Sequence, residues 1–236
     1  LPDPLQIPSF IRFYIAAQLN ISRPEILSRY AERENTRWEH QGLIKLYYDY
    51  HDFGDFPWTF RLKRLLYTRA WLSNERPGLL FDFATAWLLQ NKILLPAAST
   101  LTRLIGEVRE RASRRLWRRL ALLPDSWQKT QLDGLLEIPE GQRISVLEEM
   151  RKGPVTISGP SFTDALERYT RLRSMEFSRL NFSGLPAIQL RNLARYAGMA
   201  SVKYISRMPD ERRLAVLTAF VKAQEISALD EAVDVL

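Results

Sequence analysis

The sequence contains no cysteine, two histidines and no apolar run that approaches the length of a membrane span. Without cysteine, disulfide frameworks, thiol catalysis and cysteine-bound zinc are excluded, and the composition fits a reducing compartment. Because a membrane span needs about 20 consecutive apolar residues, none is predicted. The first residues, LPDPLQIP, lack the basic start and apolar stretch of a signal peptide. They also lack an initiator methionine, so we expect an excised piece or a processed product of a longer protein.

Motifs of catalytic and metal sites are missing as well. The chain has no GxGxxG or GxxxxGK[ST] phosphate loop and no GxSxG nucleophile elbow. His40 and His51 are not spaced as a zinc-binding pair, and a surface or groove-facing role is expected for His40. Asp49, Asp52 and Asp55 stand at a predicted helix end, where solvated turn carboxylates are common. We therefore expect no catalytic residue, metal or cofactor in this chain.

The positive charge is concentrated in the first half of the chain. Residues 1–120 carry 19 basic and 12 acidic side chains, whereas residues 121–236 carry 15 of each. Arginine outnumbers lysine by 27 to 7. Arginine suits planar, bidentate contact with phosphate, so a polyanionic partner is favoured over an acidic protein. A coding bias toward arginine is the alternative interpretation.

Apolar residues recur at three- and four-residue spacing almost throughout, and β-hairpin signals are scarce, which predicts an all-α fold. Ser22 is a predicted N-cap, and Ser99 is predicted to open a long helix. Trp38 is expected in the core, with stacking on a base as the alternative. The change in charge and a proline near residues 121–124 predict two tandem helical modules, 1–120 and 121–236. Helices are predicted at about residues 7–19, 23–32, 35–50, 59–74, 77–91, 99–120, 125–136, 144–152, 161–180, 186–198, 201–208 and 210–226, with a last helical segment that stops in mid-period as the start of a longer helix. The segment GPVTISGP, residues 153–160, is a predicted loop.

The first three predicted helices have the proportions of a helix-turn-helix unit, whose last helix meets base edges with its first turns. Arg37 could bond guanine and Gln41 adenine, while Arg33 in the preceding turn could reach phosphate. Thr36 and His40 belong to the same turns. Three helices with short turns also occur in most helical proteins, so this pattern alone leaves a purely structural interpretation open.

Two further basic surfaces are candidate DNA contacts. Gly198 lies in a short turn between two predicted helices, which is a cue for a second helix-turn-helix unit. The long helix 99–120 has arginine over more than half of its circumference, so it could line a phosphate backbone, or it could simply be solvated. The candidate residues of the surface around Gly198 are Arg191, Arg195, Lys203 and Arg207. Those of the helix 99–120 are Arg111, Arg114, Arg115 and Arg118.

Three segments resemble the N-terminal region of Tn-three family replicative transposases, in the order that the family has them. They are SRYAERENTRWEHQ at residues 28–41, ILLPAASTLTRLIGEVRERASRRLWRRL at 93–120, and LARYAGMASVKYISRMPDERRLAVLTAFVKAQE with ALDEAVDVL at 193–236. Two departures stand in the first segment. Trp38 replaces a frequent arginine, and Gly42 with Leu43 replaces an acidic-hydrophobic pair.

The resemblance implies that the region helps a transposase recognise the terminal inverted repeats of its transposon through helix-turn-helix modules. It also implies that the acidic catalytic triad and its divalent metal belong to a part of the family that this chain lacks. The partner would be double-stranded DNA in the cytoplasm of a bacterium, at the nucleoid and not at a membrane. A homodimer formed through the full-length protein stays open. The rival interpretation is a helical scaffold that positions transposase subunits without reading DNA.

Arg212 and Arg213 are tempting DNA contacts by the same resemblance, yet their position argues for a structural role. They lie in the first turn of a predicted helix, where the helix dipole disfavours positive charge unless a partner compensates it. We therefore expect one of them to bond a carboxylate or the carbonyls that end the helix at Gly198.

Overall fold

The computed structural model describes residues 6–25, 36–152 and 159–234, and the side chains of these residues except 36–37, 159–161 and 231–234. All regular secondary structure in those ranges is helical, which confirms the predicted all-α class. The helices are α1 (Ser9–Gln18), α2 (Thr36–Tyr48), α3 (Trp58–Ser73), α4 (Pro77–Gln90), α5 (Ala98–Ala121), α6 (Ser126–Gly134), α7 (Val146–Met150), α8 (Gly159–Ser174), α9 (Ala187–Met199), α10 (Val202–Ser206) and α11 (Asp210–Asp234).

The chain divides into two compact units, and the first comprises residues 1–59 and 85–96. Within it, His51 pairs with Ile93 in an isolated parallel bridge. The His51 backbone donates to the Lys92 carbonyl and accepts from Leu94, both at 2.9 Å. The His51 ring also stacks on Trp58, with ring centroids 4.9 Å apart. His51 therefore has a structural role in the first unit, where its backbone and its ring both make contacts.

The second unit, residues 60–84 and 97–236, holds most of the buried core. Helix α11 lies at its centre and packs against α5, α6, α8 and α9. Phe177 and Phe220 are the largest side chains buried there. A smaller cluster joins α5 to α11 through Leu116, Leu120 and Ala215. These two helices come from the two predicted modules, so the second unit contains parts of both. The boundary predicted near residues 121–124 stays a prediction.

Local side-chain bonds explain where several short helices begin. Asp125 caps α6, since its carboxylate accepts from the Gln128 backbone while the Gln128 side chain accepts from the Asp125 N–H. Ser145 and Glu148 form the same reciprocal box at α7. The hydrogen bonds from Ser145 lower the pKa of the Glu148 carboxyl, because they favour its ionised form. A serine or aspartate before a short amphipathic run thus fixes each start.

Some predicted helix ends differ from the structure. Helix α5 begins at Ala98, one residue before the predicted start at Ser99, with Ala97 at its N-cap and no side-chain cap. Helix α8 ends at Ser174, before Leu180, because Glu176 adopts a left-handed backbone with φ of 60°. The last two predicted segments form one helix, α11. The helix predicted at 23–32 and the 153–158 part of the predicted loop lie largely or wholly outside the described residues.

Candidate nucleic-acid interface

Helix α5 separates a buried apolar face from an exposed basic one. Its buried residues run from Leu101 to Ala121 at helical spacing. Because arginines at three- and four-residue spacing lie on one side of a helix, the exposed guanidinium groups form a continuous surface. We call this surface the basic face. Its members are Arg111, Arg114, Arg115, Arg118 and Arg119.

Two aromatic side chains of α3 lie beside the basic face. The guanidinium carbon of Arg111 is 5.9 Å from the Tyr67 ring centroid, and that of Arg115 is 5.3 Å from the Trp71 centroid. Arg119 lies 5.7 Å from the same tryptophan ring. Arg115 Nη1 also donates to the Tyr67 hydroxyl at 3.1 Å. The sequence did not single out Tyr67 and Trp71, although their four-residue spacing matches that of the three arginines.

Most of the charge on the basic face is not neutralised by carboxylates. Arg114 is an exception, because its Nε lies 2.7 Å from Glu110 one turn earlier. Nearer the helix start, outside the basic face, Arg103 faces Glu107 at 4.0 Å. None of the other four members of the basic face has a carboxylate partner among the described residues. The face therefore offers unpaired cations to a polyanion.

A second basic surface follows the turn between α9 and α10. The predicted contacts Arg191 and Arg195 are exposed one turn apart on α9. Lys203 and Arg207, also exposed, lie on α10 and at its C-cap. The structure thus brings these four predicted residues to two consecutive helices of the second unit. Helix α10 has 5 residues, which is about 7.5 Å of α-helix. It can present a single turn to a groove.

One buried and one half-buried side chain fix α9 in place. Gln189 Nε2 donates to the carbonyl oxygens of Ala70 at 2.9 Å and Trp71 at 3.2 Å, which satisfies acceptors near the end of α3. Arg151 Nη2 donates to the carbonyls of Ala197 and Ala200, the latter at 2.7 Å, at the opposite end of α9. Burial lowers the pKa of the Arg151 guanidinium. Sequence patterns did not identify either residue.

Helix α2 contains the predicted base-reading residues, but it is packed quite differently. Among its side chains from residue 38 to 48, none is buried. His40 is exposed, as expected, and Gln41 is half-buried. Trp38 is 74% exposed, so its expected place in the core is wrong, since the described apolar side chains leave it uncovered. Thr36 and Arg37 form the first turn, although their side chains, like Arg33 as a whole, lie outside the described part of the chain.

The two arginines at the start of α11 have structural partners. Arg213 Nε lies 3.1 Å from Asp133 on α6, and its Nη1 lies 2.8 Å from Asp210. The expected bond between an arginine of this turn and a carboxylate is therefore confirmed, while the carbonyls near Gly198 are occupied by Arg151 instead. Arg212 lies over the Trp117 ring at 5.0 Å. Both side chains link α11 to its neighbours.

Carboxylates of the described residues do not assemble into a metal-binding group. In the turn after α2, Asp52 accepts from Lys45 Nζ at 2.6 Å, and Asp55 accepts from the Asp52 backbone at 3.0 Å. These acidic residues have the turn role that was favoured for them from sequence. No helix in the described ranges combines the length and apolar character needed to cross a bilayer.

Comparison with known proteins adds direct evidence on the family. Residues 1–108 match the model of a domain of unknown function, DUF4158. Over all 236 residues the chain is 74% identical to the transposase for transposon gamma-delta of Escherichia coli strain K12. It is 27% identical over 233 residues to the transposase for transposon Tn1546 of Enterococcus faecium, and 26% identical over 229 residues to that for Tn501 of Pseudomonas aeruginosa.

These matches cover 100%, 97% and 97% of this chain but 24%, 23% and 23% of the relatives. The chain thus spans about a quarter of the length of the curated transposases that it matches. Similarity that extends over nearly the whole chain in several transposases agrees with the three motif segments. The chain therefore belongs to the Tn-three family of transposases.

Proposed function

We propose that this region binds duplex DNA at the terminal inverted repeats of a transposon. The observation that carries the proposal is the basic face of α5, where four of five exposed arginines have no carboxylate partner among the described residues. Exposed, unpaired arginines gain most from phosphate, because binding releases the counterions condensed on DNA. The second basic surface, on α9 and α10, is carried by the same compact unit and extends the candidate area.

Base recognition is proposed for the first turns of α2 and for the turn between α9 and α10. The candidates in α2 are Thr36, Arg37, His40 and Gln41, with Arg33, which precedes the helix in sequence, as a phosphate contact. Those of the other turn are Arg191, Arg195, Lys203 and Arg207, which would contact the DNA backbone as well as bases. An exposed helix such as α2 can enter a major groove about 12 Å wide. The family resemblance supports this assignment, because it implies that this region helps to recognise the terminal inverted repeats of a transposon.

In this proposal the region binds DNA and supplies no catalytic group to transposition. The acidic triad and its divalent metal belong to the remaining three-quarters of the relatives' length. The protein works on the bacterial nucleoid in the cytoplasm, and a homodimer of the full-length transposase would present two copies of the region to paired transposon ends.

A fluorescence-anisotropy titration of the chain tests the proposal. The labelled probes are one duplex with the terminal repeat and one with the same bases scrambled. A DNA-binding protein typically binds its specific site about 10³-fold or more tightly than non-specific DNA. We expect a clear preference for the repeat, and equal affinity for both duplexes would refute repeat recognition. A chain that binds neither duplex would exclude DNA binding by this region.

The apolar surface of α2 favours the second candidate, a scaffold role. Leu43, Ile44, Tyr47 and Tyr48 are exposed there together with Leu46, which is 80% exposed. An apolar helix face of this kind typically meets another protein surface. If α2 joined two copies of the chain, Leu46→Ser would lower the association measured by sedimentation velocity and leave DNA affinity unchanged.

A further inference from the structure

The three arginines that face α3 form a regular ladder on aromatic rings. Arg111 lies over Tyr67, and Arg115 and Arg119 lie over Trp71, all within 6 Å of a ring centroid. This is the range of cation–π attraction. Because a ring covers one face of each guanidinium, the N–H edges are the groups left for a ligand. Arg115 is held most firmly, since its Nη1 also bonds the Tyr67 hydroxyl.

The spacing of the ladder fits one strand of a DNA backbone. Arginines four residues apart are separated by about 6 Å along an α-helix, so the three span about 12 Å. One strand of B-DNA carries a phosphate for about every 3.4 Å of helix axis, so this span covers about four phosphates. Arg118 lies on the same exposed side of α5 and adds a fourth cation to the ladder.

The surroundings of the ladder do not fit insertion into a groove. Helix α5 is buried along its length on one side, and the rings of α3 lie against the basic edge itself. Two packed helices lie about 8–10 Å apart and each has a diameter of about 10–12 Å with its side chains. Together they are wider than the major groove, which is about 12 Å. Base edges are therefore out of reach for arginines held flat against α3.

Stacking also prepares the arginines before a ligand arrives. A free arginine side chain loses rotamer freedom when it binds phosphate, which weakens its net contribution. Rings that hold the guanidinium groups in the unbound protein remove part of this loss. Tyr67 and Trp71 can then raise DNA affinity without touching DNA.

We infer that the arginine ladder of α5 is a sequence-independent phosphate clamp, and that Tyr67 and Trp71 are its positioning residues. The inference rests on the proposed function, since it assumes that this region binds DNA. It adds that α5 contributes affinity and salt dependence but no discrimination between sequences. Selectivity for the repeat then comes from other surfaces.

The test compares variants of the chain by anisotropy at several salt concentrations, with the repeat duplex and its scrambled counterpart as probes. A triple variant, Arg111→Gln, Arg115→Gln and Arg119→Gln, removes the ladder. Trp71→Leu removes a ring and Tyr67→Phe removes the hydroxyl alone, so both keep the charge of the protein. Arg103→Gln is the matched control, since Arg103 is an exposed arginine of α5 that faces Glu107.

The triple variant should lose at least about tenfold in affinity for both duplexes equally, and its salt slope should fall by about 2–3. Trp71→Leu should weaken binding to both by about two- to tenfold and Tyr67→Phe by about twofold. Arg103→Gln should change affinity by about twofold or less. Circular dichroism at the assay temperature verifies that each variant is folded, and if Trp71→Leu unfolds, Tyr67→Phe decides the positioning role.

Several outcomes separate this inference from the proposed function. If the wild-type chain binds neither duplex, both fail. If the wild type prefers the repeat but the triple variant keeps its affinity and salt slope, the clamp is overturned and repeat recognition stands. A triple variant that loses only the preference for the repeat would show base contacts and would overturn sequence independence. Unchanged affinity in folded Tyr67→Phe and Trp71→Leu would overturn the positioning role.

Discussion

Helices α2 and α5 were both predicted as DNA contacts, and the structure gives them opposite environments. Helix α5 buries eight apolar residues along its length and supports its arginines with rings from α3. Helix α2 buries none of its described side chains. A fixed, flanked helix suits contact with a backbone, which has the same charge everywhere. An uncovered helix can enter a groove, where sequence is read. If the region binds DNA as proposed, we therefore expect α5 to contribute mainly affinity and α2 mainly specificity.

The largest expected effect is that of salt concentration on DNA affinity, because we expect phosphate contacts by α5 to contribute most of that affinity. If the chain makes about six to ten such contacts, affinity for the repeat should fall by about 10³–10⁵ between 50 and 200 mM salt. This equals about 4–7 kcal/mol of binding free energy. Anisotropy titrations across that range measure it. An affinity that does not depend on salt would contradict contact between α5 and the DNA backbone.

The second prediction compares one leucine from each helix. Leu120 is fully buried, so Leu120→Ala should lower the free energy of unfolding by about 2–5 kcal/mol. Leu46 is exposed, so Leu46→Ala should change it by about 0.5 kcal/mol or less. Urea denaturation followed by circular dichroism measures both. A comparable loss in Leu46→Ala would mean that the apolar face of α2 is covered in solution.

Sequence patterns predicted most of α5 and much less of its surroundings. The apolar spacing predicted a helix over 99–120, and the apolar stripe of that helix, which includes Leu104, Leu116 and Leu120, is buried in the structure. A regular stripe on a long helix defines which side of the helix is buried. The rings of Tyr67 and Trp71 escaped detection, since a contact between α3 and α5 depends on how the two helices pack. Such packing leaves no local pattern in either helix.

The error at Trp38 has the same physical origin. A large aromatic side chain is usually buried, but burial requires a neighbouring surface, and none covers Trp38 in the described part of the chain. Likewise, the carbonyls that end α9 were one of the two kinds of partner expected for Arg212 or Arg213. Arg151 reaches them from α7 instead, which only the tertiary structure reveals.

A third prediction addresses specificity in α2. Arg37 lies in the first turn of this helix, so Arg37→Ala should weaken binding to the repeat by about 1–3 kcal/mol and relax the preference at one base step. Binding to scrambled DNA should change little. Titrations with repeats carrying single base changes measure both effects. Equal losses on repeat and scrambled DNA would make Arg37 a phosphate contact, and α2 would then resemble α5 in its role.

The smallest predicted effect concerns Arg213, an arginine that serves the fold and not the DNA. Its side chain is 19% exposed and lies between Asp133 and Asp210, which are 49% and 82% exposed. Since solvent screens the two partners, Arg213→Ala should cost about 1 kcal/mol of stability. That loss corresponds to about 2–4 °C in Tm for a chain of this size.

Arg213→Ala also isolates the effect of charge from that of position. It removes the same charge as a single substitution in the basic face, but from a side chain whose Nε and Nη1 already donate to carboxylates. DNA affinity measured well below the Tm should therefore stay within about twofold of the wild type. Scanning calorimetry and anisotropy on the same preparation give both values. The prediction would be contradicted by an unchanged Tm together with a DNA affinity reduced tenfold or more, which is about 1.4 kcal/mol. Arg213 would then contact DNA, and the net charge near α5 would matter more than the arrangement of the arginines on that helix.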